Sequence, residues 1–549
     1  MGQTSALRAP VARSIADRAL AWRLLALLAI AAFYLLLPNN RPDFSPYDAE
    51  DAEVYVGLSW ALTHGLGYTR SLIPGQFVPH TTFPPGMALL LAPATMFTGL
   101  PLPWWLVKLP IIATALLGVL FAWFYVRRIT GRTGAADAAA LLLASNPYYW
   151  DFGHLALSEV PTTVWAIGGV LMVDLIWAER RPRLWQAGLA GFVAGFGMLV
   201  KGSLLGLALA PLGFLVERRG TRLDRAGQIR AWLVYAAAFV TWFLAWMLRN
   251  RGIHADLGFD GINQIRMLFA HDPVNPASPL MTPVEVARNA LDSLMHRIIY
   301  RVPQELLPWL WTRALERLPA AFLVAAVLTA VIALLAVPVR RVGVPLFLVI
   351  APMAALLVLY AWGAGTRFWV PVTLLTLLLL VARLYPWVAA WKRPARSLFA
   401  AALAIVCATS LLAYVVRFER HPLAAGSDDL LALFARIRAM PDPPPALLTY
   451  HATAYTLITG LPAPLTVPGI GLLPRYTHLI SRAGHPVYPP SEAPPRGAAL
   501  LSAIGPWQLY ALPRPMTLAA IRDGDARSGS HPIGAAQGGA VRGGIGAAP

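Results

Sequence analysis

The 549-residue chain is poor in charge and poorest in acid. Charged residues make up 13% of it, with 27 acids against 45 bases, where a soluble globular protein carries about a quarter. So few charges exclude an ordinary water-facing surface. With 57% apolar residues, many in long runs, the chain reads as a polytopic membrane protein. Cysteine is nearly missing. Cys407 alone lies inside an apolar run, which excludes a disulfide or a thiolate metal site. Also missing are a His/Cys metal spacing, a glycine-rich phosphate loop and a Gly-x-Ser-x-Gly elbow. No internal repeat of the transporter kind is visible. The net charge of +18 would point to nucleic acid in a soluble protein. Here the arginines sit in short loops between apolar runs, so topology accounts for them and nucleic acid is not an expected partner.

What is present is a series of apolar runs, each near the ~20 residues a bilayer requires. They lie at 20–37, 104–126, 133–149, 160–178, 184–200, 202–216, 230–248, 319–337, 344–362, 368–384 and 398–416, about eleven helices. Arg8, Arg13, Arg18 and Arg23 precede Leu24–Leu37 without a small-residue cleavage site after it, so this run is read as a retained first helix. Basic loops follow at Arg127, Arg128 and Arg132, at Arg180, Arg181 and Arg183, at Arg218–Arg230, at Arg340 and Arg341, and at Lys392, Arg393 and Arg396. Alternation puts all of them with the N-terminus on the cytoplasmic side. The outer side then receives 38–103, the turn at Glu159, 249–318, the Gly365–Phe368 turn and everything after about 417. The expected organisation is a cytoplasmic segment 1–19, a membrane domain 20–416, an α/β domain 417–524 and a disordered Gly/Ala/Ser/Arg-rich tail 525–549.

In the first outer loop, Ala52–His64 reads as an amphipathic helix ended by Gly65-Leu66-Gly67. Pro84-Pro85-Gly86 opens an apolar segment, 87–98, too short to span and read as interfacial. In the loop 249–318, Trp309 and Trp311 mark an interface. After 417, Ser427–Met440 reads as helix, while Ala446–Tyr450, Ala463–Val467 and Trp507–Leu512 read as strands.

Five of the scarce acids, Asp43, Asp48, Glu50, Asp51 and Glu53, crowd the first outer loop. The spacing Asp51-x-x-x-Tyr55 puts both residues on one helix face. His80 and Phe83-Pro84-Pro85-Gly86 follow. A second outer acid, Glu159, stands where a helix re-enters the membrane. Lys201 follows a glycine-rich span, Arg249 ends another, and Arg367 opens a late one. Each has a plainer explanation. Asp51 is a favoured helix cap, Glu159 suits a helix start, and Lys201, Arg249 and Arg367 can snorkel.

In this order and with this sidedness, the set resembles the GT-C superfamily of membrane glycosyltransferases, in the bacterial branch related to protein O-mannosyltransferases and the lipid A aminoarabinose transferase. The resemblance covers about 30–420 and is strongest in 47–165. It implies an inverting transfer of a hexosyl or pentosyl group from a polyprenyl-phosphate donor to a lipid, glycan or protein on the periplasmic side of the bacterial inner membrane. It maps the family's acid in an Asp-x-x-x-Tyr setting to Asp51, as the base or its support, with Glu159 as a second acid. Lys201, Arg249, Arg367 and His80 become candidates for the donor phosphate, with Asp48 and Tyr55 in support. Members of the family often place a lysine just before the Pro-Pro motif; this chain has Phe83 there. Some members use a divalent cation, which Asp51 and Glu159 would hold. The rival class, a transporter or lipid flippase, requires ionisable groups deep in the spans. Here Asp174 and Arg383 lie near the cytoplasmic ends.

Overall fold

The computed structural model describes residues 21, 23, 25–35, 50–73, 77–177, 183–217, 225–251, 253, 268–271, 278–294, 299–306, 321–337, 343–360, 366–420, 428–443, 447–448, 452–463, 476–482, 497–504 and 507–516. Two compact units divide at Ser427 and Asp428.

Among the described residues the first unit is mainly helical. Its early helices are α1 (Leu25–Leu35), α2 (Glu50–Thr63), α3 (Gly86–Thr95), α4 (Trp104–Thr130), α5 (Thr133–Ala144), α6 (Pro147–Phe152), α7 (Glu159–Trp177) and α8 (Leu184–Val200). A 3₁₀ helix, Gly202–Leu212, runs into α9 (Gly213–Glu217) and is followed by α10 (Arg225–Asn250). After these come α11 (Pro283–Asp292), α12 (Ile299–Leu306), α13 (Ala321–Ala336), α14 (Val344–Leu359), α15 (Thr366–Ala390) and α16 (Arg393–Arg420). Among the described residues, the eleven expected spans lie largely on helix, the run 202–216 as the 3₁₀ helix and α9. Among the described residues, α4, α7, α10, α15 and α16 contain stretches long and apolar enough to cross a membrane. This is an integral membrane protein with a small sheet near its C-terminus.

Burial sorts the spans. Within the apolar window of each, 72% of α15 and 61% of α7 is buried against protein, but only 17% of α10 and 11% of α16. The first two form the centre, and the last two leave most of their apolar surface to lipid. Tyr125, Trp150, Trp177, Tyr235 and Trp369 anchor one continuous core between the helices. In a bilayer, close packing rather than water exclusion joins helices, so small residues mark the interfaces. Gly191 and Gly195 of α8 illustrate this. A Cβ on either would lie within 2.3 Å of the α10 backbone oxygens of Tyr235 or Phe239. The acid inside the last turns of α7, Asp174, pairs with Arg128 of α4, and Asp137 of α5 accepts from Arg23 at 3.1 Å and from Trp123 Nε1 at 2.8 Å. The charges at these helix ends are thus paired.

Two elements depart from expectation. The helix α2 is not amphipathic in place. Ala52 through Ser59 are all buried, because α3 and the 66–84 loop cover the side meant for water; Gly65, at φ 76°, ends the turn as expected. The segment read as an interfacial helix, α3, buries Gly86, Met87, Ala88, Leu91, Ala94 and Thr95. The run 133–149 is two helices, since Asn146 caps α6 by accepting from the Tyr148 and Tyr149 N–H groups, with Pro147 at the first helical position.

The second unit holds a four-stranded sheet, order β1-β2-β4-β3. Its strands are β1 (Leu447–Leu448), β2 (Tyr476–Arg482), β3 (Ala499–Ile504) and β4 (Trp507–Met516), with α17 (Asp428–Arg438) and α18 (Ala452–Thr459). The β1–β2 pair is parallel and the β2–β4 and β3–β4 pairs antiparallel, with Leu479 opposite Tyr510 and Leu500 opposite Tyr510 on its other side. Leu430, Leu433, Phe434 and Ile437 are the buried stripe of α17, at the 3,4 spacing a helix needs to cover a sheet. The sequence showed β1 and β4 but not β2 or β3. Of the segment Ala463–Val467 only Ala463 is described, and it is not strand. Asp48, Trp309, Trp311 and the tail from Gly524 lie outside the described residues.

Candidate active site

Asp51 stands in the first turn of α2, and its Oδ2 accepts from Arg367 Nη2 at 2.7 Å, across 316 residues of sequence. Arg367 opens α15. The side chains of Arg367 and Asp51 are 18% and 21% exposed, so the pair lies at the edge of solvent rather than sealed from it.

A second acid–cation pair lies nearby. Glu159, the first residue of α7, is 1% exposed, and its Oε1 accepts from Lys201 Nζ at 3.1 Å. Lys201 occupies the extended joint between α8 and the 3₁₀ helix, at φ −156° and ψ 128°. That joint aims a side chain where a continuous helix would not. Glu159 Oε2 is buried without a hydrogen-bond partner among the described residues.

The two pairs meet at Phe368. Lys201 Nζ lies 4.9 Å from its ring centroid and Arg367 Cζ 4.7 Å from it, both inside cation–π range. Four expected residues, Asp51, Glu159, Lys201 and Arg367, thus converge on one aromatic ring. Tyr55 lies beside them, within reach of the Asp51 charge. Burial first, and the Asp51 charge second, push its phenol far up. Tyr55 therefore stays protonated and is not a base.

Arg249 and His80 form a separate group. Arg249, at the end of α10, donates through Nη1 to His80 O at 2.6 Å and to Asn250 Oδ1 at 2.8 Å. Its guanidinium lies over the Tyr68 and Trp246 rings at 5.6 and 5.1 Å. His80 is fully buried, and its Nε2 accepts from the Phe83 N–H at 3.0 Å. A nitrogen that accepts carries no proton, so this ring is a turn-shaping acceptor. Tyr68 closes the group by donating to Phe83 O at 2.8 Å. The Phe83 ring, 5.1 Å from Tyr55 and 5.5 Å from His80, separates the two groups.

The Pro-Pro-Gly motif has a mechanical role in this arrangement. A Cβ on Gly86 would lie 2.4 Å from Leu199 C and 2.5 Å from Val200 N. The start of α3 thus rests on the backbone directly before Lys201, a contact only glycine permits. Sequence reasoning did not single out Phe368; it sits beside a charged residue that was named, and only the fold brings Lys201 to its ring. Among the described residues no three His, Cys, Asp or Glu side chains gather as a metal site, and Asp51 and Glu159 both face cations.

Similarity to known proteins agrees with this architecture. The family model for dolichyl-phosphate-mannose-protein mannosyltransferase matches residues 83–246, from the Pro-Pro motif to near the end of α10. No curated protein matches the sequence. Among solved structures, ArnT from Cupriavidus metallidurans in the apo state superposes with a TM-score of 0.55 at 13% identity, over 90% of this chain and 98% of that one. The same protein bound to undecaprenyl phosphate superposes with a TM-score of 0.55 at 14% identity, over 89% and 98%. The fold is that of ArnT. Within it, α2, α3, α7, the Lys201 joint and the start of α15 are the elements that carry the acids and cations described above.

Proposed function

We propose that this protein is an inverting glycosyltransferase that moves a sugar from a polyprenyl-phosphate donor to an acceptor alcohol or amine. The reaction takes place on the periplasmic side of a bacterial inner membrane, with the N-terminus cytoplasmic. The observation that carries the reading is the convergence of Asp51, Arg367, Glu159 and Lys201 around Phe368, in a fold whose solved relative was captured with undecaprenyl phosphate.

The chemistry follows from the charges. The acceptor heteroatom attacks the anomeric carbon, the bond to the phosphate oxygen breaks, and lipid phosphate leaves with the bonding electrons. Negative charge grows on that phosphate, so fixed cations beside it lower the barrier. Arg367 and Lys201 supply them, Arg367 with a fork suited to two phosphate oxygens and Lys201 as a point charge. As the donor phosphate engages Arg367, Asp51 Oδ2 is released to take the acceptor proton, the general-base role. Glu159 holds Lys201, Tyr55 packs against Phe83, and the Arg249–His80 group braces the backbone at Phe83. Asp174 supports transfer over transport, because its partner Arg128 accounts for its charge.

The test is a turnover assay on detergent-purified protein. A panel of polyprenyl-phosphate sugars is supplied with membrane extract as the acceptor source, and free polyprenyl phosphate is quantified by mass spectrometry. Wild type is expected to release lipid phosphate, and Asp51→Asn to release it at least about 100-fold more slowly, the lower end for loss of a general base. Equal release by both proteins removes Asp51 from the mechanism, and absence of release with every donor sinks the transferase reading.

A further inference from the structure

We propose that Phe368 is a positioning residue for the donor phosphate: one aromatic ring holds Lys201 and Arg367 at a fixed spacing, independently of the carboxylates that also bind them. The inference rests on the transferase reading and deepens it by giving the ring at the centre of the site a role of its own. The cations come from distant elements, Lys201 from the joint after α8 and Arg367 from α15. Left to their ion pairs alone, each would be placed by its own acid. Both acids have conflicting duties, since a carboxylate that takes a proton from the acceptor, or yields its cation to a phosphate, stops fixing that cation. The phenyl ring has no such conflict. Its π cloud attracts both cations, 4.9 and 4.7 Å from the ring centroid, and that attraction persists when phosphate replaces carboxylate.

The ring is itself held. Phe368 is partly buried, packed against the main core and 6.0 Å from the Tyr360 ring, and the next residue, Trp369, is 2% exposed. A ring fixed this way offsets the mutual repulsion of two like charges and pre-organises them, so a phosphate meets a formed dicationic site. Pre-organisation of this kind appears in binding and in turnover together. The donor is a phosphodiester of one negative charge and the product lipid phosphate a monoester of up to two, so the product is expected to feel loss of the site more than the donor does.

The experiment uses the full chain purified in detergent. Binding of undecaprenyl phosphate is titrated, and kcat and KM are measured with the donor the wild type consumes. Phe368→Leu keeps the apolar volume and removes the π face; it is expected to weaken undecaprenyl phosphate binding about tenfold and to lower kcat/KM by a similar factor. Phe368→Tyr and Phe368→Trp are expected to stay within about threefold of wild type. Because Phe368→Leu also perturbs packing, a fluorinated series (mono-, di- and trifluorophenylalanine at 368) provides the second measurement. Shape is nearly constant across it while the ring's negative face fades. A stepwise fall in affinity with fluorine count supports the proposal. Constant affinity across the series, or Leu equal to Phe, overturns it. If instead wild type releases no lipid phosphate but the fluorine dependence of undecaprenyl phosphate binding holds, the transferase reading fails and the phosphate site stands.

Discussion

Glu159 and Lys201 show how strongly a single pairing can matter at a helix start. Glu159 is 1% exposed and its Oε1 relies on the Lys201 ammonium. Deleting one partner of a buried pair leaves a bare charge, a loss of about 3 kcal/mol. Lys201→Ala is therefore expected to lower the apparent Tm in detergent clearly, and adding Glu159→Gln to recover most of the loss; an unrecovered double variant would mean that Lys201 acts through packing. His154 gives a pH dependence. Its ring nitrogens sit 2.7 Å from Trp150 O and 2.8 Å from Tyr34 O, tying α6 to α1. Burial lowers its pKa more than those two carbonyls raise it, and the charge on Lys108 adds to the lowering. A base with a depressed folded pKa binds protons more readily when unfolded. The stability it contributes is therefore present above about pH 6.5 and lost as pH falls through the folded value. Thermal unfolding between pH 8 and pH 5 should show that slope, and His154→Gln should flatten it. At this scale the sequence was legible wherever charge was scarce: Asp51, Glu159, Lys201 and Arg367 stood out because few ionisable groups compete for attention. Phe368 was hidden among 21 phenylalanines, since an aromatic shows its partners only after folding.

Elements are positioned by contacts that periodicity cannot report. The run of α2 looked one-sided because Glu50, Glu53 and His64 break its apolar pattern, yet α3 covers that side and Glu53 is buried with it. The apolar spans were legible because bilayer thickness fixes their length, whereas β2 and β3 lie between segments with no strong alternation and gain their strand form from pairing with β4. The long 3₁₀ stretch Gly202–Leu212 exceeds the three or four residues usual for that geometry; its glycine at 206 lies where a Cβ would come 2.7 Å from Val349 O, so packing against α14 holds it in this form. Gly86 carries the clearest test at this scale. A methyl there meets backbone on α8 and not a movable side chain, so Gly86→Ala must push α3 and the Val200–Lys201 segment apart. Turnover is expected to fall about tenfold or more, as displacements near 1 Å commonly cost enzymes, with only a modest change in apparent Tm. Full activity in Gly86→Ala would detach the Pro-Pro-Gly motif from the site.

At the level of the whole molecule, the Asp51–Arg367 contact joins positions 316 residues apart. Chains grow at about 5–20 residues per second, so roughly 15–60 s separate the synthesis of the two residues. Asp51 enters the membrane region early and waits for its cation until α15 is made. During that interval the carboxylate has to be satisfied by water or by other groups, and α2 cannot settle into its final burial. The Asp51–Arg367 contact is therefore among the last of the described pairings to form during biogenesis. A nascent chain stopped before α15 would already hold the Glu159–Lys201 pair while Asp51 and Lys201 still awaited Arg367 and the Phe368 ring, so the two acid–cation pairs are completed at different stages of synthesis.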